Sequence, residues 1–131
     1  MIVVETSALI ALLFAEPTAA AIAARISKSP NPVLPSSAYV EASFVYCRRN
    51  GAAGLRRLDE LIADLGLEIV PFTPIHARVA ADAFLRFGKG RHPAGLNFGD
   101  CMSYAVAKVE GLPLLYVGAD FGMTDMAGDL G

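Results

Sequence analysis

Apolar residues fall in short blocks punctuated by Pro, Gly and small polar residues, and the blocks alternate between strand-like and helical patterning. Met1–Val4 is a β-branched run without polar alternation, which predicts a strand buried on both faces. Thr6 is placed to cap a helix through about Phe14, Glu16-Pro17 interrupts it, and an Ala-rich helix follows over roughly Thr18–Ile26. Pro32–Pro35 predicts a second strand. Ser36 or Ser37 then caps a helix that stops at Asn50-Gly51. A helix over about Ala52–Leu65, a strand over Glu68–Val70 and a helix from Thr73 to about Phe87 come next, with Pro74 suited to a first helical position.

Gly88–Gly95 is a Gly, Pro and basic loop. Asn97 caps a helix to Lys108, Pro113–Val117 is a strand, and Gly118–Gly131 is turn-rich with one short strand near Met126. Strands alternating with helices imply a single α/β domain spanning 1–131, with a parallel sheet and helices on both of its faces. Ligands of such sheets gather outside the carboxyl ends of the strands, where Glu5 and Asp120 both fall.

Composition changes this picture in two ways. Hydrophobic residues make up 54% of the 131 positions and charged residues only 18%, below the roughly 25% usual for soluble domains. A chain this apolar is expected to hide part of its surface in a dimer or under a partner. The net charge of −2 excludes a general electrostatic attraction to nucleic acid, so any such binding must use a local patch. Cys47 and Cys101 both lie inside predicted helices and read as small apolar residues of a reducing compartment. Without a nearby His pair they do not form a structural zinc site. The N-terminus lacks the basic stretch of a signal peptide, and no run approaches the ~20 apolar residues of a membrane span, so a cytoplasmic protein is expected.

Four acids then stand out, because each ends or interrupts an apolar run: Glu5, Glu41, Asp100 and Asp120. An unpaired carboxylate on a buried strand costs several kcal/mol, which argues against Glu5 as an incidental strand end. Glu41 lies mid-helix among apolar and small neighbours, one turn after Ser37. Asp100 has a ready alternative role, since an acid in a first helical turn complements the helix dipole and can form a capping box with Asn97. Asp120 and Asp125 both suit turns, and Asp120 is nearer the strand end. Carboxylates converging from separate elements repel one another unless a divalent cation neutralises them. Such oxygen donors suit Mg²⁺ or Mn²⁺, which points to a metal-dependent phosphodiesterase.

Other polar residues carry less. His76 reads as a packed or surface histidine rather than a general base. His92, with Lys89 and Arg91, reads either as a phosphate contact or as a solvated loop. Arg48, Arg49, Arg56 and Arg57 bracket a helix–helix turn, either as a solvated basic corner or as a contact for phosphate or a partner.

The ordered set Met1-Ile2-Val3-Val4-Glu5-Thr6-Ser7-Ala8-Leu9-Ile10, Ser37-Ala38-Tyr39-Val40-Glu41, Leu96-Asn97-Phe98-Gly99-Asp100-Cys101 and Leu114–Phe121 with Thr124-Asp125 resembles the PIN-domain ribonucleases of the VapC type. These are the toxin halves of bacterial type II toxin–antitoxin pairs. The resemblance runs nearly end to end and implies a three-layer α/β/α sandwich with a mostly parallel central sheet. It places the family's acidic quartet at Glu5, Glu41, Asp100 and Asp120, as catalytic residues and ligands of Mg²⁺ or Mn²⁺, with Asn97, Thr6 and Ser7 in support. It further implies cleavage of RNA, homodimerisation, and neutralisation by a cognate VapB-type antitoxin. One position departs from the pattern. The family normally has Asp where this chain has Glu5, and the extra methylene implies a displaced carboxylate and weakened activity.

Two other functions are weighed against this. A phosphatase of the haloacid dehalogenase type needs an Asp-x-Asp pattern after the first strand, which Glu5-Thr6-Ser7 lacks. A binding module that keeps the fold while Glu5 disables catalysis is the alternative.

Overall fold

A computed structural model describes residues 1–126 of the chain. The elements run β1 (Val3–Val4), α1 (Thr6–Leu13), α2 (Ala19–Ser27), β2 (Val33–Pro35), α3 (Ser36–Asn50), α4 (Ala53–Leu65), β3 (Glu68–Val70), α5 (Pro74–Phe87), α6 (Phe98–Glu110) and β4 (Leu114–Leu115). The four strands pair in the order β3-β2-β1-β4, and every pairing is parallel. From β1 the chain adds β2 and β3 on one side, then returns to place β4 on the other. The strand order therefore switches direction between β1 and β4, the position where open parallel sheets form ligand crevices.

Side-chain alternation along the strands builds two cores. Ile2, Val4, Leu34 and Leu115 face a layer formed with α1, α2, α3 and α4, including Leu9, Ile22, Ala38 and Leu58. Val3, Val33 and Leu114 face the opposite layer, with Ala83, Leu96, Tyr104 and Val106 from α5, α6 and the loop between them. The result is the expected three-layer α/β/α sandwich. Both faces of β1 are fully buried, which is why its residues show no polar alternation. Gly66 and Gly111 end α4 and α6 in the left-handed region, at φ +68° and +67°.

Several boundaries differ from the sequence expectations, each for a local reason. Glu5, not Thr6, is the N-cap of α1. Neither Ser36 nor Ser37 caps α3, whose N-cap is Pro35. The Ser36 hydroxyl instead accepts a bond from the Phe72 amide at 3.2 Å, tying α3 to the segment after β3. β1 and β4 each contract to two residues. No strand forms at Met126; the segment after β4 makes one 3₁₀ turn, Phe121–Met123, that packs Phe121 against Tyr116. The rest of the turn-rich C-terminal region, 127–131, lies outside the described residues.

Candidate acidic site at the carboxyl edge of the sheet

Glu5 leaves the sheet at the carboxyl end of β1. Its amide donates to Leu115 O at 3.0 Å, and its backbone is extended, as an N-cap requires. The side chain folds back so that Oε2 accepts the Ser7 amide at 2.7 Å and also the Ser7 hydroxyl. Caps are normally made by the shorter Asp, Asn, Ser or Thr. Here the extra methylene of Glu is taken up in the return bend. The Ser7 hydroxyl in turn accepts the Val117 amide at 2.8 Å, so one side chain joins the ends of β1 and β4. Glu5 is 2% exposed. Burial pushes its carboxyl up to about 7, against the lowering effect of the two Ser7 bonds, with the charges of Asp100 and Glu41 adding to the rise.

Glu41 approaches from α3. Its Oε1 accepts the Thr6 hydroxyl at 2.7 Å. The carboxylate rests against the first turn of α6, where a Cβ on Gly99 would overlap it. That turn carries the positive end of a helix dipole, a favourable place for an anion. Asp100 is fixed one residue on. Its Oδ2 accepts the Asn97 amide at 3.0 Å while Asn97 Oδ1 accepts the Asp100 amide at 2.8 Å, completing a capping box. Burial raises the Asp100 carboxyl above its ordinary value, the Asn97 amide lowers it, and the charges of Glu41 and Asp120 raise it further. Asp120, exposed at the start of the 3₁₀ turn, makes no capping bond with its side chain. The capping role foreseen for Asp100 and its place beside Glu41 are thus both realised.

The four acids therefore belong to one electrostatic neighbourhood centred on Asp100. Among the described residues, no Lys, Arg or His pairs with any of them. Nor do any three His, Cys, Asp or Glu side chains among the described residues draw close enough to form a ready-made metal cluster. Three of the four acids turn toward a local donor, Glu5 to Ser7, Glu41 to Thr6 and Asp100 to Asn97. The donors are hard carboxylate oxygens in one electrostatic neighbourhood without a paired cation, a donor chemistry that suits a divalent cation such as Mg²⁺ or Mn²⁺.

The remaining polar residues lie elsewhere. His76 is buried as a cap: Nδ1 accepts the Thr73 amide at 2.9 Å, and Nε2 lies 2.9 Å from Glu110 Oε2. His92 Nδ1 accepts the Ala94 amide at 3.0 Å and its ring meets the Phe87 ring edge-on. Asp125 binds the Tyr104 hydroxyl at 2.6 Å and Lys108 Nζ at 2.7 Å, with Arg86 at 3.8 Å, clasping the C-terminal segment to α5 and α6.

Gly99 and Phe98 were not picked out from sequence as contributors, and Ser37 was noted only as lying one turn before Glu41. Gly99 clears space for Glu41, and a glycine in a first helical turn, where it costs stability relative to Ala, was the available signal. Ser37, one turn before Glu41, has a buried hydroxyl without a hydrogen-bond partner in a depression it shares with Glu41 and Gly99. Phe98, 82% exposed on the rim beside Gly99, carried no signal.

A profile described as PIN domain matches residues 2–126. The chain is 42% identical over 125 residues to Ribonuclease VapC of Mycolicibacterium smegmatis, covering 95% of this chain and 97% of that protein. It is likewise 42% identical over 125 residues to Ribonuclease VapC36 of Mycobacterium tuberculosis, covering 95% and 90%. Among solved structures, VapC20 of Mycobacterium tuberculosis, described as a sarcin-ricin loop cleaving toxin, superposes with a TM-score of 0.77 at 21% identity, covering 97% of each chain. VapBC2 from Rickettsia felis, solved bound to a DNA fragment from its promoter, superposes at 0.76 with 12% identity over 98% and 96%.

Proposed function

Because the chain belongs to the PIN domain family, among its VapC ribonucleases, we propose that it is a metal-dependent endoribonuclease toxin whose site is Glu5, Glu41, Asp100 and Asp120. The observation that carries this is the buried carboxyl of Glu5 coupled to Asp100 and Glu41 with no cation paired to it. A structural role alone gives no reason to gather like charges at the switch point of the sheet. The relatives named as ribonucleases support the activity, and the donor chemistry supports Mg²⁺ or Mn²⁺.

In this mechanism Glu5, Glu41, Asp100 and Asp120 would hold the cation that acts on an RNA phosphodiester. The bound cation would lower the pKa of a water and offset charge building on the phosphate. The chain's own residues supply position. Ser7 orients Glu5, Thr6 orients Glu41, and the Asn97 capping box fixes Asp100 with its Oδ1 outside the box. The single methyl-sized gap at Gly99 lets Glu41 reach the pocket. No side-chain nucleophile is required, and the reaction is hydrolytic. Because the extra methylene of Glu5 displaces its carboxyl, the site is expected to work below the rate of one with Asp there.

Cleavage of total tRNA and rRNA in Mn²⁺, comparing the natural chain with Asp100→Ala, tests this. Cutting by the first and none by the second is expected, with activity abolished by EDTA. Cutting that survives EDTA refutes the metal site.

A homodimer and a VapB-type antitoxin complete the proposal. Two apolar depressions of about 460 and 430 Å³ share Phe98 and Met102 and run from Phe72 and Phe84 on the α5 side to Val40 and Phe44 on α3. Phe44 is 68% exposed in the isolated chain, and such a continuous apolar surface supports burial against another chain. A binding module that has lost catalysis is the second reading, favoured by the folded-back Glu5; no cleavage by either this chain or Glu5→Asp would select it, whereas a large gain in Glu5→Asp would mark an impaired nuclease.

A further inference from the structure

α1 and α3 lie side by side and run in the same direction. Thr6 meets Glu41 at one end of their seam, and Phe14 meets Tyr46 at the other, with ring centroids 5.2 Å apart. At that far end the Arg49 guanidinium stands 4.7 Å from the centroid of the Phe14 ring. Phe14, Val45, Arg48 and Arg49 line a depression of about 370 Å³. Arg48 follows Glu41 by seven positions, two turns along the same face of α3 and about 10 Å along its axis. The seam thus runs from an acidic pocket to an aromatic and basic one.

The charge at the far end is unmatched. Among the described residues, neither Arg48 nor Arg49 has a carboxylate within ion-pair distance, and the same holds for Arg56 and Arg57 across the Gly51 turn. By contrast, Arg86 and Lys108 both meet Asp125. Basic residues in the last turn of α3 complement its dipole. That accounts for charge at this position, but not for an aromatic ring beneath a guanidinium at the mouth of an open depression. An acidic pocket by itself repels a polyanion, so a strand entering it needs cations nearby to offset the approach.

We infer that the Phe14, Val45, Arg48 and Arg49 depression is a subsite for the RNA strand whose phosphate is cut at the acidic pocket. Arg48 meets a phosphate a few nucleotides from the scissile one, and the Arg49–Phe14 pair offers a stacking surface to a base. The inference rests on the ribonuclease reading and assigns the arginines to substrate rather than to the fold.

The test uses a fluorescein-labelled, mixed-sequence single-stranded RNA of twenty nucleotides and reads binding by anisotropy across a salt series. All variants carry Asp100→Ala to stop cleavage. Arg48→Gln with Arg49→Gln is expected to weaken binding at least tenfold. The slope of log K against log salt should fall by about 0.7, the value for one lost phosphate contact to a single strand. Arg48→Lys with Arg49→Lys should restore most of the slope. Phe14→Leu should weaken binding several-fold with the slope unchanged. Arg78→Gln with Lys28→Gln, two exposed cations outside the depression and away from the acidic residues, is the matched charge control. An unchanged Kd and slope in the Gln pair, with an intact thermal melt, overturns the subsite and leaves the patch to a protein partner. Equal losses in the control pair also overturn it, as a net-charge effect. A natural chain that cuts no RNA in Mn²⁺ refutes the ribonuclease reading itself, whereas cutting with unchanged Kd in the Gln pair refutes the subsite alone.

Discussion

The carboxylate of Glu41 lies so close to the Cα of Gly99 that any side chain at position 99 would occupy its place. One residue is on α3 and the other in the first turn of α6, and the site exists only where these helices touch. Gly99→Ala would gain helix propensity worth up to about 1 kcal/mol. The atoms it strikes are the flexible tip of a Glu, which can swing away. Thermal stability should therefore change little while RNA cleavage falls about 100-fold, the scale of a 1 Å misplacement. Cleavage at the natural rate, with stability intact, would show that Glu41 does not need this position.

Glu5 should make the metal-free protein less stable as pH rises. Its carboxyl is raised to about 7 in the folded chain, above the ordinary 4.5. The folded state therefore keeps a proton that the unfolded chain releases between those values. The stabilisation is fully present below about pH 4.5 and is lost as pH rises through 7, by about 3 kcal/mol at most. Denaturant titrations at pH 5 and pH 8 in EDTA read this directly. Glu5→Gln should remove most of the slope, and Mn²⁺ should restore stability at pH 8, because the cation needs the ionised form. A slope that survives Glu5→Gln would place the proton elsewhere.

Glu5→Asp should preserve or improve folding, because Asp is among the best N-caps and reaches the Ser7 amide without a return bend. Cleavage is expected to rise by ten- to a hundred-fold, with the shorter side chain aligned toward the pocket. Equal rates for the two chains would mean that the site tolerates the longer acid.

The unpartnered hydroxyl of Ser37 gives a test of opposite sign. A buried hydroxyl without a partner costs about 1–3 kcal/mol, so Ser37→Ala should leave the metal-free protein equally stable or stabilise it by about 1 kcal/mol. Slower cleavage in the same variant would show that the hydroxyl donates to an oxygen that arrives with the substrate or cation. A clear loss of stability would mean that the hydroxyl is bonded after all.

How far all this was legible depends on the range of the interactions involved. The helices and strands follow from local patterns such as Asn97 to Asp100, Thr73-Pro74 and the β-branched residues of β1, and these appear in the structure nearly as expected. The acidic quartet was visible because each acid interrupts an apolar run, and because the ordered motifs resemble a known family. The caps of α1 and α3 were assigned to the wrong residues, since Ser, Thr and Glu can all accept an amide and the choice depends on distant partners. Ser36 is drawn to the Phe72 amide, 36 positions away. The roles of Gly99 and Ser37 depend on the α3–α6 contact, and that of Asp125 on α5 and α6. Apart from the glycine placed in a first helical turn, none of these contacts leaves a mark in nearby sequence.

The hydroxyl that joins Glu5 to the Val117 amide spans 110 positions. The first acid of the quartet is therefore synthesised well before the segment that steadies it. Closing a contact of such separation is slow, because the entropy of the intervening chain must be lost first. A partly synthesised chain would present Glu5 and Glu41 without β4, Asp120 or the bridge from Val117. An acid held this way takes up its final place only once β4 has been made and has docked beside β1.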